Sequence, residues 1–181
     1  MVVRPTPADL AAARGATVAD VIAPDLRILF CGINPSLYSA AVGHHFARPG
    51  NRFWRTLHLA GFTDRLLSPF EDALLLQYGL GVTNLVSRAT ASARELGPEE
   101  LREGAEDLAR KVGRYAPGVL ALAGVSAYRS AFDQPGATVG PQPLLVGGRP
   151  VWALPNPSGL NAHYQLPDLV AAFRRLRDEA A

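Results

Sequence analysis

Short apolar runs alternate along this chain with longer segments in which apolar residues recur at helical spacing. The runs have the length and residue types that are typical of strands buried on both faces of a sheet. They occupy residues 28–31, 81–86, 119–123, 144–146 and 151–154. Because strands that alternate with helices form sheets covered on both faces, the pattern predicts a three-layer α/β/α sandwich around a mainly parallel sheet of four or five strands.

The segments with helical spacing complete this layout. They cover residues 8–14, 16–22, 52–60, 69–78, 99–115 and 166–178, and a further helix is predicted after Gly124. Asn51 is suited to an N-cap and Pro69 to a first helical turn, and Gly147-Gly148 joins the last two strands as a hairpin or a close return. Residues 37–51 show no period, and a loop of that length in a compact domain is usually functional or disordered.

The composition is that of a globular protein. The 181 residues are 48% hydrophobic, so we expect a single domain over residues 1–181, with a helical segment at residues 1–25 packed on it. No apolar run approaches the length of a bilayer span, and the first residues lack the apolar segment of a secretory signal. We therefore expect no membrane association and a cytoplasmic location. Cys31 is the single cysteine and has no partner for an internal disulfide.

Charge is distributed unevenly along the chain. Six of the sixteen acidic residues lie between Glu95 and Asp107, and all but one of the eighteen cationic residues are arginines. The remaining surface therefore leans basic. This suits phosphate binding and is equally compatible with an ordinary solvated surface.

Two similar loops follow predicted strands. The first strand continues into Gly-Ile-Asn-Pro at residues 32–35, and Pro35 disfavours helical backbone for Asn34, which should lie at the carboxyl end of the strand, where open α/β sheets bind ligands. The Asn34 side chain is either directed into a pocket or, as the alternative, holds the turn. Pro-Asn-Pro-Ser-Gly-Leu at residues 155–160 follows the last strand. If the two strands are parallel neighbours, both loops face one cleft.

These motifs resemble those of the mismatch-specific uracil/thymine-DNA glycosylases of the uracil-DNA glycosylase superfamily, and the resemblance covers nearly all of the chain after its first two dozen residues. It implies that superfamily's fold and a monofunctional DNA glycosylase of base excision repair, with no cofactor. Such an enzyme flips and hydrolytically excises uracil, or thymine or other damaged pyrimidines, from mismatched duplex DNA. The motifs are Gly-Ile-Asn-Pro at 32–35, Asn-Arg-Phe-Trp at 51–54, Ala-Gly-Phe-Thr-Asp at 60–64, Gly-Val-Thr-Asn-Leu-Val at 81–86 and Leu-Pro-Asn-Pro-Ser-Gly-Leu at 154–160.

The resemblance assigns the catalytic position to Asn34. A neutral amide can orient a water molecule but cannot act as a strong base. Because Asn156 in the second loop also supplies no strong acid, bond breakage would depend on backbone donors that stabilise the departing base. We therefore expect modest turnover and tight retention of the abasic product.

The resemblance also implies a base pocket and a DNA wedge. Phe46 would stack on the flipped base, although such a ring could instead plug the core beneath its loop. Leu160 would fill the gap left in the duplex, unless it folds back onto the core. Asn84 is a further pocket residue that could equally hold a turn. The remaining pocket residues are Ile33, Tyr38, which departs from the family pattern, Ser39 and Asn156, and backbone contacts to the opposite base are expected from Gly159 and Asn161.

Other polar residues have weaker assignments. His44, His45 and Cys31 match no metal-ligand spacing, so no metal site is predicted. Lys111 is the only lysine and lies far from both loop motifs in sequence, so water rather than an amine is the expected nucleophile. Phosphate contacts, each of which could equally be an ordinary surface group, are expected from Arg48, Arg52, Arg88, Ser158 and His163.

The expected partner is double-stranded DNA that contains a mismatched or damaged base, bound by a monomer. The alternative is a non-catalytic DNA-binding module that recognises flipped or mismatched bases and is indifferent to Asn34→Ala. A small-nucleotide hydrolase on the same kind of sheet would not need Leu160.

Overall fold

The fold is built on one five-stranded sheet in a computed structural model that describes residues 4–180. Its strands are β1 (Ile28–Gly32), β2 (Leu80–Asn84), β3 (Val119–Ala123), β4 (Gly140–Val146) and β5 (Arg149–Leu154). Their order in the sheet is β2, β1, β3, β5, β4. The first four of these are parallel, and β4 pairs antiparallel with β5 at one edge. The predicted mainly parallel sheet is confirmed.

Helices cover both faces of the sheet. They are α1 (Pro7–Ala12), α2 (Leu37–Val42), α3 (Phe53–Leu59), α4 (Pro98–Tyr115), α5 (Val125–Ala131) and α6 (Leu166–Ala180), with 3₁₀ helices at Pro69–Tyr78 and Ala93–Glu95. Within residues 4–180, no helix has both the length and the apolar character that a bilayer span requires.

Alternation along the strands divides the core into two halves. In β1, Leu29 and Cys31 pack with α4 and α5, whereas Ile28 and Phe30 pack with α3 and α6. All four side chains are fully buried, as expected for a strand covered on both sides. The predicted three-layer α/β/α sandwich is therefore confirmed.

Residues 16–22 do not form the predicted helix. Val21 instead forms an isolated antiparallel bridge with Val82, whose backbone exchanges two hydrogen bonds with it at 2.9 and 2.8 Å. The apolar spacing fitted a helix, but the open side of β2, at the edge of the sheet, offers unpaired backbone groups. A β-branched residue such as Val21 is also well suited to extended backbone.

Helix α2 lies in the segment 37–51 that was expected to be aperiodic. The Ser36 Oγ caps it by accepting a hydrogen bond from the Ser39 N–H at 3.0 Å, and Gly43 ends it with a left-handed φ of 78°. A helix of six residues spans less than two turns, which is too short to reveal a helical period.

Candidate active site

A cavity of about 1090 Å³ opens at the edge of the sheet where the parallel strands end. The two loops expected to share one cleft both line it, although β1 and β5 are not neighbours, because β3 lies between them. Ala123 and Gly124, at the end of β3, also line the cavity and carry no bulky side chain. The polar residues that the sheet edge contributes to the wall are Asn34, Asn84 and Asn156.

Asn34 contributes an unpaired acceptor to the cavity wall. Its Nδ2 donates to the Arg88 carbonyl at 3.0 Å and to the Thr90 Oγ1 at 2.8 Å, so both amide protons are used. Among residues 4–180, no group donates a hydrogen bond to the Asn34 Oδ1. The side chain therefore holds the turn through its nitrogen and keeps its oxygen available to accept a hydrogen bond from a water molecule.

Thr90 fixes this orientation, and nothing in the sequence pattern identified it. It is only 1% exposed. Its Oγ1 donates to the Ser92 carbonyl at 2.8 Å and its N–H donates to the Pro35 carbonyl at 3.2 Å. Because its single hydroxyl proton is used by Ser92, the Thr90 Oγ1 must act as the acceptor toward Asn34.

Phe46 forms one wall of the cavity and also packs on the core. Its ring lies on the buried Phe53 ring, with centroids 4.1 Å apart and an interplanar angle of 22°. A side chain at Gly32 would crowd this arrangement, since an added Cβ would lie 3.2 Å from the Phe46 Cζ and 2.8 Å from the Asn84 Oδ1. The core therefore supports a flat, half-buried ring at the cavity, and both roles considered for Phe46 are compatible.

His45 is a pocket residue that the sequence suggested only as a rejected metal ligand. It is 3% exposed and lines the cavity. Its Nε2 lies 2.8 Å from the Ala19 carbonyl and its Nδ1 lies 3.5 Å from the Asn84 Nδ2. A carbonyl can only accept, so the Nε2 carries the proton and the Nδ1 is an acceptor facing Asn84. Burial lowers the pKa of His45 and favours this neutral form.

Folding stability should decrease as the pH falls through the unfolded pKa of His45, about 6.5. In that range the unfolded chain binds a proton that the folded chain does not bind, because the folded pKa of His45 is lower. The loss ends once the pH falls below the folded pKa. The free energy of unfolding, measured with urea, should decrease less between about pH 8 and pH 5.5 for His45→Gln than for wild type. His163→Gln, at an exposed position, is the control. If the free energy of unfolding depended on pH equally in wild type and His45→Gln, the assignment of His45 as a neutral buried imidazole would be wrong.

The other predicted pocket residues are only partly brought together. Ser39 and Ile33 line the cavity. The Ser39 Oγ accepts from the Ala47 N–H at 3.0 Å, and the Ile33 carbonyl accepts from the Val86 N–H at 2.9 Å. Tyr38 does not belong to the lining, because one step along α2 turns its side chain about 100° away from that of Ser39. The prediction that Tyr38 is a pocket residue is therefore corrected.

The second loop places an apolar side chain at the mouth of the cavity. Leu160 is 72% exposed and has not folded back onto the core. Asn156 shapes the loop, since its Oδ1 accepts from the Ser158 N–H at 2.9 Å. The Asn161 N–H donates to the Ser158 carbonyl at 3.0 Å, so this donor is not free for the predicted contact to an opposite base. Gly159 is exposed. An added Cβ at this position would lie 2.6 Å from the Gly50 carbonyl oxygen, so a larger residue would require a shift of the backbone.

Two of the predicted phosphate contacts are directed elsewhere. Arg88 forms a bidentate ion pair with Glu100, at 2.5 and 2.9 Å. Arg52 donates to backbone carbonyls of the second loop. These guanidinium groups already have partners within the protein. The prediction that Arg52 and Arg88 contact phosphate is therefore corrected, and both make internal contacts. Ser158 and His163 line the cavity, and they remain predictions.

The cavity wall is electropositive. Within the described part of the chain, the lining contains no aspartate or glutamate, but it includes the exposed Arg48, Arg94 and Arg129. Arg48 was expected from the sequence, whereas Arg94 and Arg129 are brought to the cavity only by the fold. A wall with this charge favours an anionic ligand such as a phosphodiester backbone.

Among residues 4–180, neither a metal-binding cluster nor a nucleophilic amine belongs to this site. Across residues 4–180, no three histidine, cysteine or acidic side chains are grouped closely enough to hold a metal ion. The Lys111 Nζ lies 2.5 Å from the Asp20 Oδ2 and 2.9 Å from the Thr83 Oγ1, and Lys111 is not part of the cavity lining. The groups available for chemistry in the lining are neutral amides, hydroxyls, the imidazoles of His45 and His163, the three guanidinium groups and backbone donors.

Comparisons with known proteins bear on both the family and the fold. The model of the Uracil DNA glycosylase superfamily matches residues 19–178, a span that includes both cavity loops. The fold is similar to the solution NMR structure of a candidate uracil DNA glycosylase from Methanosarcina acetivorans, with a TM-score of 0.59. That match covers 90% of this chain and 98% of the other, at 20% sequence identity, so it bears on the fold alone.

Proposed function

The chain belongs to the uracil DNA glycosylase superfamily, and from this premise we propose that it is a mismatch-specific, monofunctional DNA glycosylase. It acts as a monomer on double-stranded DNA and excises uracil, or thymine or another damaged pyrimidine, from mismatches. The observation that carries the proposal is the presence around one cavity of a free amide oxygen, an aromatic ring and an exposed aliphatic side chain, those of Asn34, Phe46 and Leu160.

Base flipping is the first step. The glycosidic bond is inaccessible inside a duplex, so the target nucleotide must leave the stack. A cavity of about 1090 Å³ is large enough to receive it. Phe46 supplies a flat surface for the base, and Asn84 and the backbone of Ile33 and Phe46 meet its polar edge. Leu160 occupies the gap in the duplex, which offsets part of the unstacking cost.

Hydrolysis follows without a strong acid or base. The Asn34 Oδ1 accepts a hydrogen bond from a water molecule and directs its oxygen toward C1′ of the sugar. The bond from C1′ to the base nitrogen breaks, and its electron pair leaves with the base, whose negative charge is stabilised by backbone donors. The water oxygen then bonds to C1′ and its proton is released to solvent. Such a site should turn over slowly and hold the abasic product.

The function is tested with labelled duplexes that carry uracil or thymine opposite guanine, incubated with the protein and then treated with alkali. We expect strand cleavage at uracil that depends on alkali, with a molar amount of cleaved duplex close to the molar amount of enzyme. Tight binding of the mismatch without an alkali-labile product would overturn the proposal in favour of a non-catalytic module. Cleavage only of free deoxyuridine would favour a nucleotide hydrolase, and strand cleavage without alkali would overturn the monofunctional assignment.

Replacement of Thr90 by valine should lower the rate of the chemical step by about 10-fold, the value of roughly one hydrogen bond. The change removes the acceptor that fixes the Asn34 amide but keeps the volume of the side chain. Single-turnover rates and DNA affinity are measured separately, and affinity should be unchanged. Thr90→Ser retains the hydroxyl and should restore the rate. An effect on affinity alone would contradict a positioning role.

A further inference from the structure

Arg52 connects the start of α3 to the loop that carries Leu160. Its Nε donates to the Pro157 carbonyl at 3.4 Å, its Nη1 to the Tyr164 carbonyl at 2.5 Å, and its Nη2 to the Ser158 and Asn161 carbonyls at 2.6 and 3.1 Å. The Arg52 N–H also donates to the Pro157 carbonyl, at 3.0 Å. One partly buried side chain thus spans the loop from residue 157 to residue 164.

All of these hydrogen bonds have backbone carbonyl oxygens as acceptors. Within the described residues, no carboxylate forms an ion pair with Arg52, so its charge is directed entirely at backbone carbonyls. Hydrogen bonds from an ionised donor are about twice as strong as neutral ones. The other hydrogen bonds of the Leu160 loop are short-range, such as those from Ser158 and Asn161 to Asn156. Arg52 is therefore the main polar link between this loop and the rest of the protein.

The same short stretch of chain supports the other side of the cavity. Phe53, next to Arg52, is the buried ring on which Phe46 stacks. The start of α3 thus contacts both the ring that would receive the base and the loop that would enter the duplex. The ring and the loop are therefore held by two consecutive residues, the N-cap and the first residue of α3.

We propose that Arg52 is a positioning residue that holds the Leu160 loop in its DNA-inserting form before DNA binds. This inference rests on the proposed function, in which Leu160 fills the gap left by the flipped base. A loop that is ordered in advance loses less conformational entropy on binding, so insertion of Leu160 costs less. Arg52 acts through Leu160 and touches neither the base nor the water.

A double-mutant cycle separates this role from a general effect on folding. Single-turnover excision from a duplex with uracil opposite guanine is measured for wild type, Arg52→Gln, Leu160→Ala and the double variant. Arg52→Gln should lower the rate by about 10-fold in the wild-type background and by less than about 3-fold when Leu160 is already alanine. An equal loss in both backgrounds would overturn the proposal.

Two further variants serve as controls, one at a nearby arginine and one that keeps the charge of Arg52. Arg55 is exposed on α3, three residues after Arg52, and Arg55→Gln should have the same small effect in both Leu160 backgrounds. Arg52→Lys keeps the charge but cannot reach all four carbonyls, so it should recover only part of the rate. Thermal unfolding shows which variants are folded, and Arg52→Lys takes the place of Arg52→Gln in the cycle if the glutamine variant does not fold.

A second measurement does not depend on catalysis. A duplex with a tetrahydrofuran abasic analogue and 2-aminopurine opposite it reports insertion as a change in fluorescence. Wild type and Arg55→Gln should give the full change, Leu160→Ala almost none and Arg52→Gln a reduced one. If wild type excises nothing but this order holds, the proposed function fails and the role of Arg52 stands. If wild type excises uracil and Arg52→Gln gives the full change, the role of Arg52 fails alone.

Discussion

Asn34→Ala is expected to lower the single-turnover rate of uracil excision by about 100- to 1,000-fold, the loss that follows when an attacking group is no longer positioned. Asn34 has the only side-chain acceptor that we assign to the attacking water. Its orientation is fixed in advance by donation to the Arg88 carbonyl and the Thr90 Oγ1. Without it, water can still enter the cavity but is no longer directed at the sugar.

Affinity for the uracil-containing duplex should change by less than about 3-fold in the same variant, since the base platform, the wedge and the basic wall are intact. Loss of the hydrogen bonds to Arg88 and Thr90 should reduce folding stability by about 1 to 3 kcal/mol. Thermal unfolding therefore accompanies the rate measurement. An excision rate close to that of wild type would show that Asn34 only holds the turn, which is the alternative role for this residue.

The location of Asn34 could be predicted from the sequence because the relevant physics is local. An apolar run ends at Gly32, and Pro35 then forces an extended turn, so the side chain between them must lie at the ligand-binding edge of the sheet. The motif resemblance likewise placed Phe46 and Leu160, both of which line the cavity. The residues that orient them were not predictable in this way.

Arg52 illustrates the reason. As a residue type it is a cation with a planar donor fork, which fits a DNA phosphate as well as a row of carbonyls. Its actual acceptors lie between 105 and 112 residues further along the chain, and no local pattern encodes that pairing. Thr90 is similar, since it contacts Asn34 across 56 residues. The sequence shows a histidine at position 45 but not that it is buried in the cavity wall, where it contacts Ala19 and Asp72.

Errors in the fold have a related origin. The apolar spacing of residues 16–22 is compatible with a helix, and only the position of β2 at the sheet edge makes pairing of Val21 more favourable. The strand order is also a long-range property: parallel strands were expected, but the insertion of β3 between β1 and β5 was not. The two loops were expected to share a cleft if their strands were neighbours, and they share it although β3 lies between, because every parallel strand ends at the same edge of the sheet.

Leu160→Ala should lower the excision rate for uracil opposite guanine by about 100-fold, equivalent to about 3 kcal/mol. The side chain is 72% exposed, so its truncation should leave the thermal midpoint nearly unchanged. The loss arises because nothing fills the gap when the base leaves, and the full unstacking cost then opposes flipping. Rates are measured under single-turnover conditions, with Leu145→Ala, an exposed leucine on β4, as the matched control.

The size of this loss should depend on how firmly the target base is held. For uracil opposite a tetrahydrofuran residue there is no pairing to break, so Leu160→Ala should cost only about 10-fold. Steady-state turnover should fall less than the single-turnover rate, since a side chain that fills the gap also retains the abasic product. A loss that is the same for both duplexes would mean that Leu160 acts on the chemical step or on the fold of its loop, and the wedge assignment would be wrong.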